Sequence, residues 1–139
     1  MTTIEEALEG STPLAIKVRA RGPYRTPAEM IEQMRALLPG LTEQEKIATL
    51  NAHPRIGERA DRLSARSLQE QGRESLPELD RLNDEYERRF GFRFVVFVNR
   101  RPKAEILEVL RRRLQRTREE EMQEGLQGIV DIAEERLRS

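Results

Sequence analysis

The stretch "FRFVVFV", residues 92–98, decides what kind of fold this chain adopts. It is β-branched and aromatic, the composition of a buried strand. A strand there would require a sheet, because unpaired backbone donors and acceptors are costly to bury. No second run of this kind exists in the 139 residues. The segment is therefore expected to be an extended buried stretch, or the start of a helix, threaded through a helical core. That expectation makes the chain all-α.

Outward from this stretch the pattern is helical. The most repeated local signal is Ser/Thr-x-x-Glu, in which a hydroxyl and a carboxylate reciprocally satisfy the free N–H groups of a helix start. It occurs at Thr26 with Glu29, where Pro27 suits the first helical position. It recurs at Thr42 with Glu45, Ser67 with Glu70, Ser75 with Glu78 and Thr117 with Glu120, and more weakly at Thr2 and Thr3 with Glu5 and Glu6. Apolar residues then follow at helical spacing. The stripes are Met30, Met34, Leu37 and Leu38, stopped by "PG" at 39–40; Ile47 and Leu50, stopped near Pro54; and Leu79, Leu82, Tyr86 and Phe90, stopped by Gly91. Two more are Ile106, Leu107, Leu110 and Leu114, and Met122, Leu126, Ile129, Ala133 and Leu137. Glu, Arg and Gln fill the faces between them, as on solvated helix surfaces. No repeat, linker or composition break divides residues 1–139, and the length suits one compact multi-helix domain.

Composition narrows the function. Lys and Arg total 25 and Asp and Glu total 25, so no strong global field gathers phosphates, and nucleic acid is not the expected partner. There is no cysteine, which excludes disulfides, thiolate zinc and a cysteine nucleophile. One histidine excludes a multi-histidine metal site within the chain. No apolar run approaches the roughly 20 residues that span a bilayer. The N-terminal "MTTIEEALEG" is acidic and lacks a signal-peptide pattern. These features lead to the expectation of a soluble, cytoplasmic, cofactor-poor domain with no membrane partner.

The only histidine lies in "NAHPRIGERA", residues 51–60. Read plainly, His53 closes a helix, where a partial positive charge suits the C-terminus. Read functionally, Pro54 fixes the backbone beside an imidazole at the mouth of a loop, and an imidazole both gives and takes protons near neutral pH. In "SLQEQ", residues 67–71, Ser67 and Glu70 match a capping box. The same carboxylate and the Gln71 amide could instead face a cleft beside His53, where a carboxylate raises and orients an imidazole. Arg136 has the chemistry to hold a carboxylate bidentately, although arginine near a helix C-terminus is favourable anyway.

Taken in order, these pieces resemble the 2-oxo-4-hydroxy-4-carboxy-5-ureidoimidazoline (OHCU) decarboxylase family. "LEGSTPLAIKVRARGPY" is similar to its N-terminal region, "HPRIG" to its His-Pro motif and "SLQEQ" to its Ser-x-x-Glu-Gln. "LNDEYERRFGFRFVVFVNRRPKAEILEVLRRRL" is similar to its central signature, and "EGLQGIVDIAEERL" to its last helix. Arg93 stands where proline is common in the family, and Leu14 where tryptophan is.

The resemblance implies an all-α fold of roughly eight helices, a homodimer, and decarboxylation of OHCU to (S)-allantoin in urate catabolism without metal or organic cofactor. It implies His53 as the proton-transferring residue and Glu70 as its catalytic partner. It further implies substrate contacts from Pro54, from Ser67, Leu68, Gln69 and Gln71, from Phe94, Val95, Val96, Phe97 and Val98, and from Arg136. The competing reading is a non-enzymatic helical adapter or weak nucleic-acid-binding module, supported by "NRRPK" at 99–103 and "RRR" at 111–113.

Overall fold

A computed structural model describes residues 2–56, 64–67 and 77–139. The helices that lie wholly within the described residues are α1 (Ile4–Ala7), α2 (Pro13–Ala20), α3 (Pro27–Leu37), α4 (Glu43–Asn51), α5 (Pro77–Phe90), α6 (Lys103–Arg113) and α7 (Arg118–Arg138). A short 3-10 turn, Leu38–Gly40, follows α3. No strand occurs among the described residues, so the fold is all-α.

The helix starts follow the side-chain caps. Thr42 with Glu45 and Thr117 with Glu120 form complete capping boxes at α4 and α7, and so do Thr3 and Glu6 at α1. Thr26 caps α3, but Glu29 turns back to the N–H of Arg25 instead of closing the box. Gly91, at φ +84°, ends α5 in the left-handed conformation that a side chain disfavours, with its N–H on the carbonyl of Glu87. Thr12 caps α2, a helix whose short apolar stripe of Leu14, Ala15 and Val18 was not among the expected ones.

Helix α7 is the axis of the core. It packs against α1, α3 and α4, while α2 closes over α1, α3 and α4, and α5 pairs with α6. Leu126, Ile129, Val130 and Ala133 of α7 meet Leu8, Leu14, Met34 and Leu50 in one continuous apolar cluster. On the other side Tyr86, Phe90, Phe92 and Phe94 pack ring against ring, with centroids 4.6–6.1 Å apart. The two sides are joined by a buried polar bridge. Glu121 of α7 accepts hydrogen bonds at 2.7 Å from both the Tyr86 hydroxyl and Arg113 Nε.

The 92–98 stretch runs extended through this core and pairs with no strand. Arginines meet one of its edges instead. Arg113 donates to the carbonyl of Val95 at 2.9 Å, and Arg101 donates to those of Phe97 and Val98 at 2.6 and 3.1 Å. Part of the arginine clusters expected to support nucleic-acid binding is thus engaged within the chain, while Arg100 and Arg112 are exposed. Arg113 is buried, Arg101 folds back on the chain, and Arg111 pairs with Glu78 and Glu108.

Candidate active site

A cavity of about 350 Å³ lies between the end of α4, the 94–100 stretch, residues 66–67 and the end of α7. It brings together His53, Pro54, Ser67, Arg136 and the whole run Phe94–Val98. These positions are far apart in sequence and were expected to share one site. Leu68, Gln69, Glu70 and Gln71 lie outside the described residues.

His53 reaches the cavity because Pro54 discourages further helix and α4 stops at Asn51. Its carbonyl and that of Asn51 both accept from Arg93 Nη1, at 3.1 and 2.9 Å, while the Arg93 N–H donates to Asn51 Oδ1 at 2.9 Å. Arg93 therefore caps α4 and ties the histidine loop to the extended segment. A proline at this position has no N–H to make the third of these bonds. Further along the loop, Asn83 donates to the carbonyl of Ile56 at 2.7 Å, and Arg55 pairs with Asp84 and Glu87 of α5. The loop is thus fixed from two elements.

The imidazole is 4% exposed, and its Nε2 has no hydrogen-bond partner among the described residues. Burial and then the nearby Arg136 charge depress its pKa to about 4, against the opposing pull of Glu9. The plain helix-closing reading needed a charged histidine at the C-terminus. Burial and the Arg136 charge instead favour the neutral ring.

Beneath it sits a buried ion pair that sequence reasoning missed. Glu9 Oε1 lies 2.9 Å from Arg136 Nη2 and accepts from Ser67 Oγ at 2.7 Å and Ser64 Oγ at 2.9 Å. Burial alone would push the Glu9 carboxyl up. The Ser67 bond, the Arg136 charge and the Ser64 bond outweigh it and hold the group below its ordinary range. Glu9 adopts φ +62°, a costly conformation for a side-chain-bearing residue. Its signal was the turn "LEG" ahead of the Thr12 cap, which points to a bend and not to a carboxylate.

Arg136 is buried and already committed. Nη1 donates to the carbonyls of Glu6 and Ala7 and Nη2 to Ser67 Oγ, at 3.0, 3.4 and 3.2 Å. Ser67 is not the cap it resembled. Residues 65–67 are helical, and the Ser67 N–H donates to Ser64 Oγ at 3.0 Å, so Ser64 caps and Ser67 is free to orient Glu9 and Arg136. No arginine holds the carbonyl of Val96 among the described residues, unlike those of Val95 and Phe97 on either side.

No group of three or more metal-ligating side chains occurs among the described residues, and no helix among them is long and apolar enough to cross a membrane. The combination is a buried imidazole whose Nε2 has no partner among the described residues, at a cavity with mixed polar and apolar walls. It suits proton transfer to a small planar ligand.

The comparisons agree with this chemistry. The chain is 30% identical over 95% of its length to the 2-oxo-4-hydroxy-4-carboxy-5-ureidoimidazoline decarboxylase of Haloferax volcanii, covering 83% of that protein. It is 29% identical to the uric acid degradation bifunctional protein PucL of Bacillus subtilis, of which it spans 29%. A crystal structure of OHCU decarboxylase in the presence of (S)-allantoin superposes with a TM-score of 0.74 at 26% identity, covering 98% of this chain and 96% of that one. The profile described as OHCU decarboxylase matches residues 1–138, and the chain belongs to the OHCU decarboxylase family.

Proposed function

We propose that this protein decarboxylates 2-oxo-4-hydroxy-4-carboxy-5-ureidoimidazoline to (S)-allantoin in urate degradation, with His53 as the proton-transferring residue. The observation that carries the assignment is the buried His53 Nε2, without a partner among the described residues, at a cavity that also gathers Ser67, Arg136 and Phe94–Val98.

The chemistry follows from the substrate. Its carboxylate sits on a ring carbon that also bears a hydroxyl, next to a ring C=N. When the C–C bond breaks, carbon dioxide leaves and its electron pair passes into the adjacent C=N. The intermediate is delocalised, which is why metal and organic cofactor are dispensable. The hydroxyl proton must then leave oxygen, and a proton must reach the neighbouring ring carbon from one face; the net reaction of the carboxylate consumes one proton from solvent. A neutral imidazole can accept the hydroxyl proton and return it to carbon, a role that typically contributes about 10²–10⁴-fold. Depression of the His53 pKa keeps the ring ready to accept. Glu70 is proposed to hydrogen-bond the hydroxyl and orient the imidazole. Ser67, Leu68, Gln69 and Gln71, Pro54 and the backbone of Phe94–Val98 are proposed to seat the ring and ureido group. Arg136 is proposed to border them, with Glu9 as its counter-ion.

A homodimer in the cytoplasm, acting on a small molecule and on neither nucleic acid nor membrane, completes the proposal and rests on family likeness. Of the arginines behind the adapter reading, Arg101, Arg111 and Arg113 are paired within the chain, which weighs against that reading. The test generates OHCU in situ from urate and follows allantoin by circular dichroism. The expected result is a fast rise of the (S) signal that survives exhaustive chelation. A rate equal to the protein-free control, or activity restored only by a divalent ion, would overturn the proposal.

A further inference from the structure

Among the described residues three arginines line the cavity: Arg66, Arg100 and Arg136. Arg136 is consumed by Glu9, Ser67 and two backbone carbonyls. Arg66 donates to Thr2 Oγ1 at 2.5 Å and to Ser139 Oγ at 3.1 Å. Arg100 alone among these three is exposed, and no hydrogen bond or ion pair engages it among the described residues.

Its backbone is also unusual. Arg100 has φ +63° and follows Asn99 at φ +49°. Asparagine tolerates this region; a long side chain there is disfavoured, and glycine would adopt it without penalty. The turn itself does not need the Arg100 side chain. Arg101 fixes it, through its N–H on the carbonyl of Val98 at 3.0 Å and its guanidinium on those of Phe97 and Val98. A strained, unpartnered cation at the rim of a ligand cavity points to a ligand anion.

Resting on the decarboxylase reading, we infer that Arg100 is the specificity residue that recognises the substrate carboxylate at the cavity rim. The substrate is an anion and the product is not. A contact with the carboxylate therefore favours substrate over product, and it vanishes when carbon dioxide leaves, so it does not retain allantoin. Because the contact forms at an exposed rim, it affects capture more than the chemical step.

Three variants separate charge from strain. R100Q keeps the backbone demand and removes the charge. R100K keeps the charge. R100G removes both side chain and strain. Each is assayed by the circular-dichroism reaction at varied substrate, with allantoate as an anionic ureido inhibitor and (S)-allantoin as a neutral one. R100Q is expected to raise KM about 5–20-fold, as for loss of one charge-assisted hydrogen bond, with kcat within about twofold. Inhibition by allantoate should weaken in parallel, and inhibition by allantoin should not change. R100K should stay within about threefold of the parent KM. R100G should match R100Q in KM while melting a few degrees higher, about 2–5 °C. A parent-like KM in R100Q would overturn the inference, as would equal weakening of allantoate and allantoin, which would mean a displaced cavity wall. A parent chain that yields no excess of (S)-allantoin contradicts the decarboxylase reading and this inference with it. A parent that turns over while R100Q keeps the parent KM contradicts this inference alone.

Discussion

His53 shows how burial sets chemistry at the scale of one residue. Its folded pKa of about 4 lies below the ordinary 6.5, so between those values the unfolded chain binds the proton more tightly than the folded one. The stability tied to the neutral ring is present above pH 6.5 and is lost as pH falls toward 4. A shift of this size corresponds to a contribution on the order of 3 kcal/mol. Urea unfolding at pH 7 and pH 4.5 should show the parent losing about that much more than His53→Asn; equal losses would mean that the ring is not buried neutral. Glu9 poses the complementary case. Glu9→Ala removes a carboxylate paired with the buried Arg136 and should cost about 3–5 kcal/mol in denaturant unfolding. A loss below about 1 kcal/mol would show that the pair is dispensable. Neither effect was legible in the sequence, because both depend on which distant groups surround the residue. His53 and Arg136 could be picked out by chemistry and family pattern, but the Glu9 that links them could not.

At the scale of the element, the extended segment and α7 explain each other. Gly125 and Gly128 both lie inside α7, where glycine costs about 1 kcal/mol relative to alanine. A Cβ on Gly128 would meet Val95 and Phe97 atoms at 3.7–3.9 Å, an ordinary contact. On Gly125 it would meet Leu50 Cδ2 at 2.9 Å, inside the packed core. Gly128→Ala should therefore stabilise by about 0.5–1 kcal/mol, while Gly125→Ala should gain nothing or lose. Urea midpoints that rank the two in reverse would show that α7 does not seat against α4 and the segment in this way. The sequence could show that 92–98 was neither paired strand nor ordinary loop, from the absence of a second β-rich run. It could not show how an unpaired strand is tolerated, because the answer is Arg101 and Arg113, whose carbonyl partners become visible only in three dimensions. Caps were more legible, since Thr42–Glu45 and Thr117–Glu120 are local. The Ser67 misreading arose because Ser64 stands three residues earlier with the same hydroxyl and takes the cap.

At the scale of the whole molecule, one helix axis collects the site. Helix α7 supplies Arg136, packs against the α4 that ends just before His53, and lies beside the segment that walls the cavity. The all-α architecture follows from stripes at helical spacing, and the family pattern runs through the chain in order. Convergence of His53, Ser67, Phe94–Val98 and Arg136 on one cavity is a property of the packing alone. In the proposed role, this packing holds His53 where it can deliver one proton to one face of the ring. The direct measurement is circular dichroism of allantoin formed from in-situ OHCU by His53→Asn, with thermal melting run on the same sample. The account predicts a variant that folds at neutral pH and yields allantoin no faster than the protein-free control and without excess of the (S) enantiomer. A folded His53→Asn chain that makes (S)-allantoin at the parent rate would contradict it.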